Sequence, residues 1–270
     1  MFSTPEFESA FTYEGSDLGA VWTANGTDFR VWAPTADSVM LRIYHSGTPG
    51  RDDLLDQREM KPGVQGTWVA HCNGNLNGLY YTYCVNVGGG WVEACDPYAR
   101  STGVNGKRAM IIDLASTNPE GWDLDSDPNA GIAFTDAIIY ELHVRDLSID
   151  RSSGITNKGK YLGLIEEGTK TSSGIPTGLD HIKDLGITHL HLLPVYDFGS
   201  VDESHLERPQ FNWGYDPVNF NAPEGSYSSD PYDGAVRVRE MKQMIKGLHD
   251  NGISVVMDVV YNHVYDEKTF

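Results

Sequence analysis

The chain has 270 residues, and its 20 Lys and Arg against 38 Asp and Glu give a formal charge of −18. At ~100–200 residues per domain, that length fits one large domain or two modest ones. Nucleic acid demands clustered cations and an anionic membrane surface repels so acidic a chain, so neither is an expected partner; a neutral ligand is indifferent to the charge.

The opening segment MFSTPEFESAF lacks the basic patch and apolar core of a secretory signal. No apolar run approaches the ~20 residues of a membrane helix. These features predict a cytoplasmic protein. Cys72, Cys84 and Cys95 are odd in number and irregular in spacing, which predicts buried, reduced thiols rather than a zinc site or a disulfide framework.

Residues 1–115 read as all-β. FRVWAP (29–34), SVMLRIY (38–44), GTWVAHC (66–72) and GLYYTYCVNV (78–87) are β-branched or aromatic runs separated by Pro and Gly. Phe29 and Val31, and Val39, Leu41 and Ile43, alternate at period two, as one buried face requires. Such strands predict an immunoglobulin-like β-sandwich. Residues 116–136, rich in Pro, Gly, Asn and Asp, read as a linker.

From residue 137 the pattern changes. AIIYELHVRDLSI predicts a strand, with Glu141, His143 and Arg145 on one face. TGLDHIKDLG predicts a short helix burying Leu179, Ile182 and Leu185 and stopped by Gly186. ITHLHLLPVYD predicts a second strand with His189 and His191 on one face, followed by a polar loop of roughly 35 residues, a length that usually marks function. A helix over residues 234–251 follows from Val238, Met241, Ile245 and Leu248, and ISVVMDVVYNH predicts a third strand carrying Asp258. Alternating strands and helices mean parallel β/α units. Strands with one polar face point to a closed barrel with a site at the strand C-termini rather than to an open sheet, which is apolar on both faces. A full (β/α)8 TIM barrel needs ~250 residues. Residues 137–270 hold only its first three units, so the barrel is expected to be incomplete and the chain to be a piece of something larger.

Three segments carry a resemblance. YELHVRDLS (140–148), FNWGYDPVNFNAPEGSYSSDP (211–231) and DVVYNH (258–263) resemble the type I pullulanases, starch-debranching members of glycoside hydrolase family 13. YEGSDLGA (13–20) and FRVWAPTADSVMLRIY (29–44) are similar to the family 48 carbohydrate-binding module. The resemblance implies retaining hydrolysis of α-1,6 linkages in pullulan, limit dextrin or glycogen, with a branched α-glucan as partner. It also implies roles. Tyr215 would stack on the sugar before the scissile bond, and His263 would hydrogen-bond that sugar. Asp258 would hold an arginine near the nucleophile, a partner expected to lie downstream. Asn262 matches a calcium-binding position of many α-amylases, although hydrogen bonding is favoured over a metal because no calcium-type carboxylate cluster is visible. Each residue also has a plainer reading, Tyr215 as loop packing and His263 as a cap. Trp213 fits either role. Trp22, Trp32, Trp68 and Trp91 could stack on glucan, but most are expected in the core.

Retaining glycosidases need two carboxylates ~5–5.5 Å apart. In this family they come from later barrel strands, so no catalytic carboxylate is expected up to Phe270, and Glu141, Asp146 and Asp258 match none of those roles. The rest of the barrel is then needed, in cis or as a second chain. No cofactor is expected. Two competing expectations are an isoamylase- or branching-type relative and a non-catalytic α-glucan-binding protein.

Overall fold

The computed structural model describes residues 4–50 and 52–266; the opening Met1–Ser3 of the segment tested for a signal lies outside them. A short helix α1 (Pro5–Phe11) comes first, capped by the Thr4 hydroxyl on the Phe7 N–H. Nine strands follow: β1 (Gly19–Thr23), β2 (Gly26–Trp32), β3 (Ser38–Tyr44), β4 (Leu54–Glu59), β5 (Lys61–Pro62), β6 (Thr67–Asn73), β7 (Tyr80–Val87), β8 (Gly90–Ala94) and β9 (Ala109–Met110).

They form two antiparallel sheets, β1-β2-β6-β5 and β4-β3-β7-β8, with β9 paired to β7. The predicted alternation holds. Phe29 and Val31 from one sheet, and Val39, Leu41, Ile43, Tyr81 and Tyr83 from the other, share one buried core. At ~1.5–3 kcal/mol for each large apolar side chain, this shared core is what holds the sheets together. Trp68 belongs to it and Trp22 packs at its margin, but Trp32 and Trp91 are exposed. The expectation that most tryptophans are core therefore fails. Trp32 occupies an outward position of the alternating β2, and its Nε1 donates to the Phe11 carbonyl at 2.7 Å. Trp91 lies on β8, an edge strand exposed along most of its length. Cys72 and Cys84 are buried, Cys95 is half-buried, and all three are free thiols.

The segment expected to be a linker has no strand, and it is firmly docked. It makes three short 3-10 turns (Leu114–Thr117, Trp122–Leu124, Phe134–Asp136) across the second half of the chain. Lys242 Nζ donates to the Leu114 carbonyl, Thr117 Oγ1 and Asn118 Oδ1 at 2.6–2.8 Å. Asn129 Nδ2 reaches the carbonyls of Thr188 and Gly252 and the hydroxyl of Ser254.

The second half contains β10 (Ile139–Leu142), α2 (Val144–Ser148), α3 (Gly178–Asp184), β11 (His189–Leu192), β12 (Tyr196–Phe198), β13 (Pro217–Pro223), α4 (Gly234–Asp250) and β14 (Ser254–Met257). β10, β11 and β14 form a parallel sheet in which Glu141, His191 and Val256 are register partners; among the described residues it does not close into a barrel. Leu190 and Leu192 face a core shared with Leu179 and Ile182 of α3 and with Met241, Met244 and Leu248 of α4.

Four local expectations are corrected. The first strand stops at Leu142 because His143 turns the chain, its imidazole accepting from the Asp146 N–H as the N-cap of α2. His143 and Arg145 therefore leave the face on which Glu141 remains. Leu185 is 46% exposed, since α3 ends at Asp184, one residue before it, and Gly186 follows in a left-handed conformation. Ile245 is only partly buried against the core. The long polar loop carries an antiparallel hairpin, β12 with β13, whose inward side chains Asp197 and Asn219 are polar. Hydrophobic periodicity is blind to such a pair.

Candidate functional site

The C-terminal ends of β10, β11 and β14 meet the loop Phe211–Asp216. Alternation puts Glu141, His191 and Asp258 on one face of the sheet, and the Asp258 N–H extends the ladder by donating to the Leu192 carbonyl at 3.1 Å. His191 lies between two carboxylates, Nδ1 3.8 Å from Glu141 and Nε2 3.9 Å from Asp258.

The loop holds its own shape. Asn212 Oδ1 accepts from the Gly214 N–H at 2.6 Å, while Asn212 Nδ2 donates to Asp216 at 3.1 Å. Gly214 has φ of +98°, and a Cβ there would lie 2.3 Å from the Pro194 carbonyl oxygen. No other residue type fits. This tight passage delivers Tyr215, whose hydroxyl donates to Asp258 Oδ2 at 2.7 Å. The Tyr215 pKa is pushed up to about 12, first by that hydrogen bond to Asp258 and then by burial. Trp213 stands at the apex of the loop, 61% exposed.

Beneath the loop, His143 donates from Nε2 to the Asn212 carbonyl at 2.8 Å, with the Tyr227 hydroxyl at 2.9 Å from the same nitrogen. Because Nδ1 already accepts from Asp146 N–H, the proton resides on Nε2. Burial lowers the His143 pKa, more than Asp146 raises it, which keeps the ring neutral.

The structure brings Tyr215 and Asp258 together, with Trp213 on the same loop. It does not join His263 to them by a hydrogen bond or an ion pair. His263 is exposed, its Nδ1 2.6 Å from Asn262 Oδ1, on a separate groove with Tyr98, Phe220 and Tyr261. The arginine expected to pair with Asp258 belongs further along the chain than Phe270; among the described residues Asp258 is met by Tyr215 and His191. Sequence reasoning missed His143, Tyr227 and the role of His191. Only the shared face of His189 and His191 gave a signal for the last.

A second polar cluster joins the two halves. Arg237, fully buried, meets Asp197 Oδ1 at 3.1 Å and Glu203 Oε2 at 3.0 Å, and also donates to Thr102 Oγ1 and the carbonyls of Gly103, Pro223 and Pro231. Asn105 donates its N–H to Glu203 and its Nδ2 to Asp202. Glu224 accepts from the N–H groups of Phe198 and Ser226. Burial raises the pKa of Asp197, against the pull of Arg237, and that of Glu224, and the neighbouring Glu203 raises both further. Among the described residues Asp197, Glu203 and Glu224 are the one acidic group spaced to hold a metal, but the guanidinium already lies against two of them.

Two family models match this chain: carbohydrate-binding module 48 (isoamylase N-terminal domain) over residues 17–99, and the α-amylase catalytic domain over residues 151–270. The chain is 42% identical over 267 residues to a pullulanase of Bacillus subtilis (strain 168), covering 98% of itself and 35% of that protein. Over nearly its whole length the chain is similar to pullulanases, and its second half matches the α-amylase catalytic domain. Pullulanase 1, chloroplastic, of Arabidopsis thaliana is 36% identical, with 96% of this chain and 30% of that one covered. The chain spans about a third of the length of the curated relatives it matches. Among solved structures, a Paenibacillus barengoltzii pullulanase in complex with maltohexaose and α-cyclodextrin superposes with a TM-score of 0.94 at 54% identity, over 98% of this chain and 41% of that one. A pullulanase from Anoxybacillus sp. LM18-11 complexed with maltotriose gives 0.90 at 43% identity, over 98% and 37%.

Proposed function

We propose that this chain is the module and the first part of the catalytic barrel of a retaining debranching enzyme that hydrolyses α-1,6 linkages in branched α-glucans. In this reading residues 1–115 are an immunoglobulin-like module, residues 116–136 the docked connection, and residues 137–270 the first three units of a (β/α)8 barrel. The observation that carries it is the Tyr215–Asp258 hydrogen bond, which sets an aromatic ring at the strand C-termini within the loop that resembles pullulanases. The glucan complexes of the relatives support an α-glucan as the ligand.

Tyr215 offers its ring to the apolar face of a pyranose and its π-cloud to the positive charge that develops at the anomeric carbon. Asp258 fixes the ring by accepting its hydroxyl proton, and Trp213 extends the aromatic surface. His263 would bind sugar hydroxyls from the neighbouring groove. Glu141 and Asp258 flank opposite nitrogens of His191, so they do not form an acid–nucleophile pair. The reacting carboxylates therefore come from the remainder of the barrel, in cis or as a second chain. That same arrangement favours a second reading, a glucan-binding protein without turnover.

Product analysis with the full-length protein tests both. Maltotriose released from pullulan, with a Tyr215→Ala variant at least a hundredfold less active, supports the debranching enzyme. Activity on glycogen but not pullulan points to an isoamylase-type relative. Glucan binding with no products on either substrate establishes the second reading.

A further inference from the structure

Behind the Phe211–Asp216 loop lies a cavity of about 130 Å³ whose charged lining is entirely cationic: Arg145, Lys158, Lys160 and Arg208, beside neutral His143. In a chain with almost two acidic side chains for every basic one, this is an inversion of the prevailing charge.

Three of the four cations have donors to spare. Among the described residues Arg208 pairs only with Glu207, at 3.6 Å, and Arg145 only with Asp146, at 3.4 Å; both carboxylates are more than half exposed. Each guanidinium keeps most of its five N–H donors for another acceptor. Lys160 Nζ donates to one neutral group, the Ser226 carbonyl at 2.8 Å, and has no ion pair among the described residues. The carboxylates that attract it from a distance, Glu203, Glu224 and Glu240, are each held by other donors. A half-buried ammonium without an anion is costly to keep. Lys158 is different, because Ser148, Asp150 and Ser153 already take its protons; it contributes field rather than a free donor. Phe198, Leu206 and Phe211 give the wall an apolar stretch, beside the neutral polar Gln210, Asn212 and Ser226.

We propose that this cavity is a binding site for a small phosphorylated anion. The phosphoryl oxygens would take N–H donors from Arg145, Lys160 and Arg208, and the apolar wall would receive the organic part of an ester. The volume has room for a phosphoryl group, and the cavity's opening leaves the organic part of an ester space to extend outward. Bidentate guanidinium pairing selects tetrahedral oxyanions over chloride. The site is distinct from the glucan face, but His143 and Phe211 belong to both the cavity wall and the support of the loop that carries Tyr215.

Isothermal titration of the full-length protein with inorganic phosphate, and separately with a hexose 6-phosphate, at ionic strength matched with chloride, tests the assignment. One saturable site is expected, weakened at least tenfold by Arg208→Gln, whose side chain is exposed and whose loss leaves the fold intact, and by Lys160→Met. Tighter binding of the ester assigns a phosphate monoester, and equal binding assigns free phosphate. No heat above the chloride control at 20 mM of either ligand overturns the proposal. So does binding that Arg208→Gln and Arg145→Gln leave unchanged.

Discussion

The Tyr215 hydroxyl and the Asp258 carboxylate, 2.7 Å apart and 43 residues apart in the chain, fasten the Phe211–Asp216 loop to the end of β14. The bond separates two properties of Tyr215, its ring and its donor. Tyr215→Phe keeps the ring and loses the donor, so affinity for maltotriose in the full-length protein should fall tenfold or less, in line with the ~0.5–1.5 kcal/mol of one hydrogen bond. Tyr215→Ala loses both and should fall further. Calorimetric titration of the two variants checks the order, and equal losses would mean that the ring contributes nothing.

Arg237 should be the most sensitive single position for stability. Arg237→Met leaves Asp197 and Glu203 buried without their cation, which costs about 3–5 kcal/mol. At ~2–4 °C per kcal/mol for a protein of 150–250 residues, Tm should drop by roughly 10 °C. Adding Glu203→Gln to that background should recover part of the loss. A thermal melt of the single and double variants reads both steps.

Asp96 gives stability a pH dependence with a defined sign. Burial pushes its pKa up to about 6, against the hydrogen bonds it accepts from Tyr81 and Tyr98. The folded state therefore keeps a proton that the unfolded chain releases near pH 4. Its contribution is fully present below about pH 4 and is lost as pH rises to 6, by on the order of 3 kcal/mol. Urea unfolding at pH 4, 5, 6 and 7 should show a slope between pH 4 and 6 that is shallower in Asp96→Asn.

The thiols should be silent in the native state. Burial raises the pKa of Cys72, pushes Cys84 up to about 11, and raises Cys95 well above its ordinary value. Thiolate is the reacting form, so a disulfide-exchange reagent at pH 8 should label the folded chain slowly and all three cysteines after denaturation. Rapid labelling of one thiol in the native protein would contradict this.

Positions set by apolar spacing were legible in the sequence: the alternating faces of β2 and β3, the buried stripe of α4, the polar face shared by Glu141 and His191. Positions set by polar side chains closing on backbone were not. His143 is spaced as a strand residue, and only its imidazole accepting from the Asp146 N–H turns it into a cap. Asp197 and Asn219 pair within a loop that no hydrophobic pattern marks, and Arg237 looks like the solvated face of an amphipathic helix until Thr102 and Gly103 arrive from more than a hundred residues away. Of the four residues expected at the site, Tyr215, Asp258 and Trp213 share one loop-and-strand cluster, whereas His263 lies on a neighbouring groove.

The clasp around Arg237 sets where a chimera could be cut. Its first-half partners, Thr102, Gly103 and Asn105, fall after residue 99, where the match to the carbohydrate-binding module ends. A crossover there would keep the buried charges around Arg237 with their own partners and hand over two sheets. The losses would include the Tyr80 hydroxyl's bonds to Tyr232 and Gly234, the Arg108–Asp53 ion pair and the pairing of β7 with β9. Moving the crossover a few residues later would instead strand a guanidinium in a foreign seam.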